Sequence, residues 1–291
     1  MLNKIIVIVG PTGVGKTKLS VQLAKQINGE IINADSMQFY KDLNIGTAKI
    51  KEEEKEGVPH HLFDIKEVSE MYTIYDYQID CRSKINEIIK KEKTPILVGG
   101  SGLYIRAALY DYKLDYENKK QDFTYLTNEE LYKKCKEIDN DCNIHINNRK
   151  RLERFLNKAL NNNKINTDAK KIYDYIMIGL TTEREKLYEI INKRVEKMID
   201  EGLIEEVKHF YDKRIKSKAI ETGIGYKELY EYFDNKISLD EAVELIKKNS
   251  RHLAKRQYTF FNHQFDNIIW LNTNYNDFNK TIEEALKLIK E

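Results

Sequence analysis

The sequence predicts an α/β protein: a parallel sheet with a phosphate-binding loop (P-loop), joined to a helical insertion domain. Three observations predict it. Short apolar, β-branched runs alternate with helical periodicity through the first third of the chain. The first run leads directly into Gly10-Pro11-Thr12-Gly13-Val14-Gly15-Lys16-Thr17. From Glu183 to Gln264 the pattern is almost wholly helical, and an apolar run then returns to strand.

Lys4 to Val9 is continuously apolar after its first residue, as expected of a strand buried on both faces in a parallel sheet. Lys16 to Asn28 has helical spacing at Leu19, Leu23, Ala24 and Ile27, with Gly29 as the expected stop. Glu30 to Asp35 reads as a second strand. Tyr75 to Lys91 reads as a helix, with Cys81, Ile85, Ile88 and Ile89 on one side, and Pro95 to Gly100 as a third strand. Residues 111 to 148 are polar and show no core pattern, so an irregular insertion is expected there. Asp174 to Leu180 is another buried strand. Leu187, Ile190, Ile191, Val195, Met198 and Ile199 form one helical stripe, expected to be core. Ser238 and Glu241 fit a capping box, as do Thr281 and Glu284 at the head of a closing helix; Asn267 to Leu271 is the last strand. The expected organisation is a P-loop α/β core over 1–182 and 265–291, with a helical insertion over 183–264.

The chain of 291 residues can bury a sizeable core without disulfides or metals. Its three cysteines, Cys81, Cys135 and Cys142, are odd in number and lack zinc spacing, which fits a reducing cytoplasm. No apolar run approaches the roughly 20 residues a bilayer requires, and no signal-peptide pattern is present, so no membrane association is expected. A net charge of +2 makes no global case for nucleic acid, so that case must rest on local charge.

The segment Gly10 to Thr17 matches G-x-x-x-x-G-K-[ST] between a strand and a helix, the context in which the motif binds phosphate. Glycines let backbone N–H groups converge on phosphate oxygens, the helix N-terminus adds partial positive charge, Lys16 adds a full one, and Thr17 can ligate Mg²⁺. A nucleotide hydrolase also needs an acid that holds the metal, usually at a neighbouring strand end. The run Ile96 to Val98 ends instead in Gly-Gly-Ser-Gly, whereas the second strand ends in Asp35. Ligands of open α/β sheets sit at the carboxyl ends of strands, so Asp35, Ser36 and Ser101 should face one crevice. Asp35 there is a candidate base or metal-orienting group; helix capping is the bland alternative.

Several stretches then read together. "GPTGVGKT", "NADSMQFYKDLNIGTAK" (33–49), "GVPHHLFD" (57–64), "LVGGSGLY" (97–104) and "LAKRQYTFF" (253–261) resemble, in order, the tRNA dimethylallyltransferases, also called tRNA isopentenyltransferases. The resemblance implies that the loop holds the diphosphate of dimethylallyl diphosphate, with Mg²⁺ at Thr17. It implies transfer of the dimethylallyl group to N6 of the adenosine 3′-adjacent to the anticodon. Asp35 then matches the base, Lys16 the diphosphate cation and Ser101 a residue at the reacting centre that also contacts tRNA. Asp35, Ser36, Met37 and Gln38 match a segment that touches the flipped adenosine in the tRNA anticodon loop. The stretch 143–154, with Arg149, Lys150, Arg151 and Arg154, resembles a second tRNA contact.

Lys247, Lys248, Arg251, Lys255 and Arg256 form another basic stretch, free of acids from Leu245 to Gln264 and interleaved with Tyr258, Phe260 and Phe261. Arg251, Lys255 and Arg256 are the RNA-binding candidates there. A solvated Lys/Arg face is the alternative. The chain departs from the family pattern at Thr222, where Arg or Gln often precedes the [IV]-G-Y motif, and at Phe260, Asn262 and Ile146. If an arginine at the first position helps hold diphosphate, another cation must replace it or binding is weaker. His60 and His61 are adjacent on an extended segment and should point apart, which disfavours one shared metal. Lys49 is either a substrate contact or a surface lysine. A monomer is expected. The competing readings are an adenylate isopentenyltransferase, a small-molecule kinase using ATP, and a non-catalytic RNA-binding protein.

Overall fold

The computed structural model describes residues 4–111, 121–160 and 170–290. They divide into two compact units, one of 1–109 with 172–291 and a smaller one of 110–171.

The larger unit is built on a six-stranded sheet in which every pairing is parallel. Its strands are β1 (Ile5–Val9), β2 (Gly29–Asn33), β3 (His60–His61), β4 (Thr94–Val98), β5 (Tyr175–Thr181) and β6 (Ile268–Asn272), in the order β3-β2-β4-β1-β5-β6. β1 lies centrally and all five of its residues are buried, as its unbroken apolar run requires. The helices of this unit are α1 (Lys16–Ile27), α2 (Ile74–Lys90), α3 (Gly102–Leu109), α6 (Arg184–Asp200), α7 (Leu203–Asp212), α8 (Lys218–Thr222), α9 (Tyr226–Phe233), α10 (Leu239–Gln264) and α11 (Phe278–Lys290). One core cluster joins Ile6, Ile8, Ile96 and Ile178 of the sheet to Leu19 and Leu23 of α1, Ile191 of α6 and Ile282 and Ile289 of α11.

Three boundaries differ from the sequence expectation. The stop of α1 is Asn28, whose φ of 52° is left-handed, so Gly29 is free to begin β2. The closing helix starts at Phe278, three residues before Thr281; the Thr281 hydroxyl lies within it and accepts from the Asn274 N–H. The helical block 183–264 does not form a unit of its own. It clusters with the sheet, because Leu187 and Ile191 of α6 and Ala254 of α10 are part of the sheet's core. The Ser238–Glu241 capping box at the head of α10 is present as expected.

The smaller unit corrects the expectation of an irregular 111–148, of which 112–120 lies outside the described residues. It contains α4 (Asn128–Ile138), started by a Thr127–Glu130 capping box, and α5 (Arg149–Leu160). Leu131 and Cys135, one turn apart on α4, meet Leu152, Phe155 and Leu156 of α5 in a separate core with Phe123 and Cys142. So few apolar residues, spaced by polar ones, leave a weak periodic signal. All three cysteines are buried and free. Among the described residues no helix is long and apolar enough to cross a membrane.

Leu131 is fully buried in this small core. Leu131→Ala should therefore lower the stability of the 110–171 unit by about 2–5 kcal/mol, read as a shifted urea midpoint.

Candidate active site

The carboxyl ends of β1, β2 and β4 open onto one cleft of about 850 Å³. Its first wall is the turn after β1. Gly15 has φ +92° and caps α1, and a Cβ there would stand 2.7 Å from the Phe278 ring. Both the backbone conformation and the ring against it demand glycine. Thr12, Gly13, Gly15, Lys16 and Thr17 line the cleft, so the expected phosphate loop faces it. Pro11 and Val14 are buried, Val14 in the sheet's core, and support the loop from behind together with Gly10.

Lys16 is buried, and its Nζ donates to the carbonyls of Gly10 at 3.0 Å and Pro11 at 2.8 Å. Burial pushes its pKa down to about 8; the Asp35 carboxylate opposes that and the Arg194 guanidinium adds to it. Arg194 of α6 is the functional residue missed from the sequence. Its Nη1 donates to the Thr12 hydroxyl at 3.2 Å, and it lines the cleft beside the loop. The signal was present: Arg194 lies three residues after Ile191 and four before Met198, so a cation interrupts an otherwise apolar stripe. That stripe is also more than core packing, since Ile191, Val195 and Met198 all line the cleft.

Asp35 and Ser101 are brought together as expected. β2 and β4 run on past their last paired residues, with the Ala34 N–H on the Val98 carbonyl at 2.7 Å and the Ser101 N–H on the Ala34 carbonyl at 3.2 Å. Asp35 Oδ1 accepts the Gly100 N–H at 2.6 Å. The Asp35 backbone is fixed from below by buried Asn33, whose Oδ1 accepts the Asp35 N–H at 2.9 Å and whose Nδ2 donates to the Asp35 carbonyl at 3.2 Å. The Ser101 hydroxyl accepts the Ser36 N–H at 3.1 Å. Ser36, Met37 and Gln38 form a short 3-10 turn, Ser36–Phe39, and all three line the cleft. Gln257 of α10, also missed, accepts the Thr12 N–H at 3.1 Å.

Thr222 lines the cleft, but its hydroxyl donates to the Lys218 carbonyl of its own helix at 2.6 Å. A cation does stand in the same cleft, on Arg194. Thr17 is exposed and lines the cleft, and among the described residues no three His, Cys, Asp or Glu side chains cluster as a metal cage. The Thr17 hydroxyl is the kind of single protein oxygen that Mg²⁺ takes beside water and a substrate's phosphates.

The basic candidates divide. Arg256 lines the cleft and Lys255 is exposed beside it. Arg251 instead donates to Asn192 Oδ1 at 2.6 Å and lies over the Tyr188 ring, bracing α10 on α6. In the smaller unit Lys150, Arg151 and Arg154 are exposed, whereas Arg149 is committed to the carbonyls of Leu126 and Phe123 and to Glu153, an internal role. His60 and His61 diverge as expected: Nδ1 of His60 bonds the Val58 carbonyl at 2.8 Å, and Nε2 of His61 bonds Glu30 at 2.6 Å. Lys49 bonds Asp64 and the Tyr40 carbonyl, a structural role.

A diphosphate favours the charged form of Lys16, so affinity is full below its pKa and falls as pH rises through about 8. Inorganic diphosphate should bind the ligand-free chain ~10-fold more weakly at about pH 9 than at about pH 7, by titration calorimetry; a flat profile would remove Lys16 from the anion site.

Comparison with known proteins identifies the family of the chain. Residues 38–264 match the family model described as IPP transferase. The tRNA dimethylallyltransferase of Anoxybacillus flavithermus is 46% identical, over 100% of this chain and 97% of its own, and that of Geobacillus thermodenitrificans is 44% identical over 99% and 97%. The crystal structure of a tRNA isopentenylpyrophosphate transferase from Bacillus halodurans superposes with a TM-score of 0.78 at 42% identity, covering 99% of this chain and 96% of that one. A eukaryotic dimethylallyltransferase acting on tRNA gives 0.81 at 29% identity, covering 99% and 80%. The chain belongs to the IPP transferase family, among relatives that are tRNA dimethylallyltransferases.

Proposed function

We propose that this chain transfers the dimethylallyl group of dimethylallyl diphosphate to N6 of the adenosine 3′-adjacent to the anticodon of tRNA. The observation that carries the reading is a carboxylate and an anion cradle opening on the same cleft: Asp35, held at Gly100, and the loop with Lys16 and Arg194. The cleft is at the upper end of the roughly 300–1,000 Å³ usual for small-molecule pockets, which leaves room for a nucleoside beside a five-carbon diphosphate. Ile191, Val195, Met198, Leu203, Ile246 and Leu253 give it an apolar side that suits the prenyl tail.

The reaction forms one N–C bond and breaks one C–O bond. As the allylic C–O bond lengthens, negative charge gathers on the diphosphate, where Lys16, Arg194 and the loop N–H groups are aimed. The adenine N6 attacks the allylic carbon, and its proton passes to the Asp35 carboxylate. The Ser101 hydroxyl, within reach of Ser36, positions the acceptor side. Mg²⁺, held by Thr17 and the substrate's own oxygens, would add Lewis-acid stabilisation of the leaving group. The apolar side keeps water from an allylic centre that would otherwise hydrolyse. The adenosine reaches the cleft unstacked, at low cost from a single-stranded anticodon loop. Arg256 at the cleft and the exposed Lys255 are the residues we assign to the RNA backbone. The three free, buried cysteines fit a cytoplasmic setting, and a monomer is the simplest assembly for one cleft built from one chain.

The deciding experiment mixes protein, Mg²⁺, dimethylallyl diphosphate and unmodified tRNA, then digests the RNA and weighs its nucleosides. A dimethylallyl mass on adenosine is expected, with free AMP inert and no ATP turnover. A product on AMP alone would make the chain an adenylate isopentenyltransferase, and ATP turnover a kinase. Asp35→Ala should keep tRNA affinity and lose transfer by ~10²–10⁴-fold in single-turnover assays; parallel loss of binding would make Asp35 an RNA contact. Arg194→Ala should weaken inorganic diphosphate by ~10–100-fold, while Thr222→Ala should leave it unchanged; the reverse ranking would return the cation's role to the Thr222 position.

A further inference from the structure

Outside the anion cradle the most fully bonded carboxylate near the cleft is Glu206, on the buried side of α7 between Leu203, Val207 and Phe210. Its Oε2 accepts the N–H groups of Asn44 at 3.0 Å and Ile45 at 2.7 Å. Its Oε1 accepts the N–H of Gly46 at 3.1 Å and the Tyr226 hydroxyl at 2.6 Å. Three successive backbone N–H groups converging on one anion make a nest of the kind that binds phosphate. Here the chain fills it with its own carboxylate.

The filled nest fixes a wall of the cleft. Gly46, Thr47 and Ala48 line it. The Tyr226 ring lies on the loop so closely that a Cβ at Gly46 would meet it at 2.7 Å. The loop in turn holds Gln38, whose Nε2 donates to the Thr47 carbonyl at 3.0 Å. Behind Tyr226, the buried Glu228 accepts the Gly225 N–H at 2.7 Å and the Asn249 amide of α10 at 2.6 Å, so the turn that presents the tyrosine is itself tied to α10. The chain of contacts runs from α10 through Glu228 and Tyr226 to Glu206, then through the loop to Gln38.

We propose that Glu206, with Tyr226, is a positioning residue for the nucleoside side of the reaction: it sets the 44–48 wall and the Gln38 amide and leaves the diphosphate side untouched. This rests on the reading of Gln38 and its turn as the acceptor-facing segment. Four donors on two oxygens need an acceptor-only carboxylate; an amide in its place turns two donors of its own toward two of them.

The test is Glu206→Gln in the full chain, with Tyr226→Phe as a milder second variant. Expected for Glu206→Gln are a KM for tRNA raised by ~10-fold, an unchanged KM for dimethylallyl diphosphate, unchanged binding of inorganic diphosphate, and faster hydrogen exchange at the amides of residues 44–46. Tyr226→Phe should move the same quantities less. A wild-type KM for tRNA with normal exchange would overturn the proposal. An equal loss of diphosphate binding would overturn it too, by making Glu206 a general fold element. Hydrogen exchange needs no turnover. If the wild-type chain transfers nothing, the functional reading fails, and unchanged exchange at 44–46 in Glu206→Gln would separately sink the loop-holding role.

Discussion

The meeting of two strand ends is the constraint on which the rest of the site depends. β2 and β4 stay hydrogen-bonded past the edge of the sheet, through Ala34, Val98 and Ser101, and then turn apart. The closeness of that approach is why Gly99 carries no side chain: a Cβ there would strike the backbone of Ala34. The Gly100 N–H that emerges is taken by Asp35, so the carboxylate proposed as the base is held by the strand junction itself. Ser101 and the Ser36 turn inherit their positions from the same junction.

Around this junction charge is arranged with economy. Two cations, Lys16 and Arg194, stand at the loop, and the Asp35 carboxylate is the main charge that favours both. Burial holds both below their ordinary pKa, and a bound anion would favour the charged form of each. The carboxylates Glu206 and Glu228 serve the opposite purpose: Glu206 accepts four donors and Glu228 two, and both hold backbone N–H groups.

What could be read from the sequence was local. The phosphate loop is eight contiguous residues after a strand, and Asp35 and Ser101 sit at strand ends that α/β topology must bring together. Arg194, Glu206 and Gln257 act through helices 160 to 250 residues from their partners, as in Glu206 to Ile45 and Gln257 to Thr12, and no short motif spans that gap. Their only trace is a polar residue on an apolar helix face, as Arg194 shows beside Ile191 and Met198. The smaller unit was illegible for a different reason: its core is too sparse for periodicity to stand out, although the Thr127–Glu130 cap was there to be found. The basic stretches were legible as charge but not as partners, so Arg149 and Arg251 could not be told from Arg256 before the packing was known.

The phosphate loop is buttressed from the far end of the chain. The Thr273 hydroxyl donates to the Val14 carbonyl at 2.9 Å, and the Phe278 ring covers Gly15. Contacts of such sequence separation must await loop closure over nearly the whole chain, which slows folding. During synthesis, at about 5–20 residues per second, the loop leaves the ribosome many seconds before its buttress exists. The nascent protein therefore carries this loop without the support that shapes it until Thr273 and Phe278 have been made.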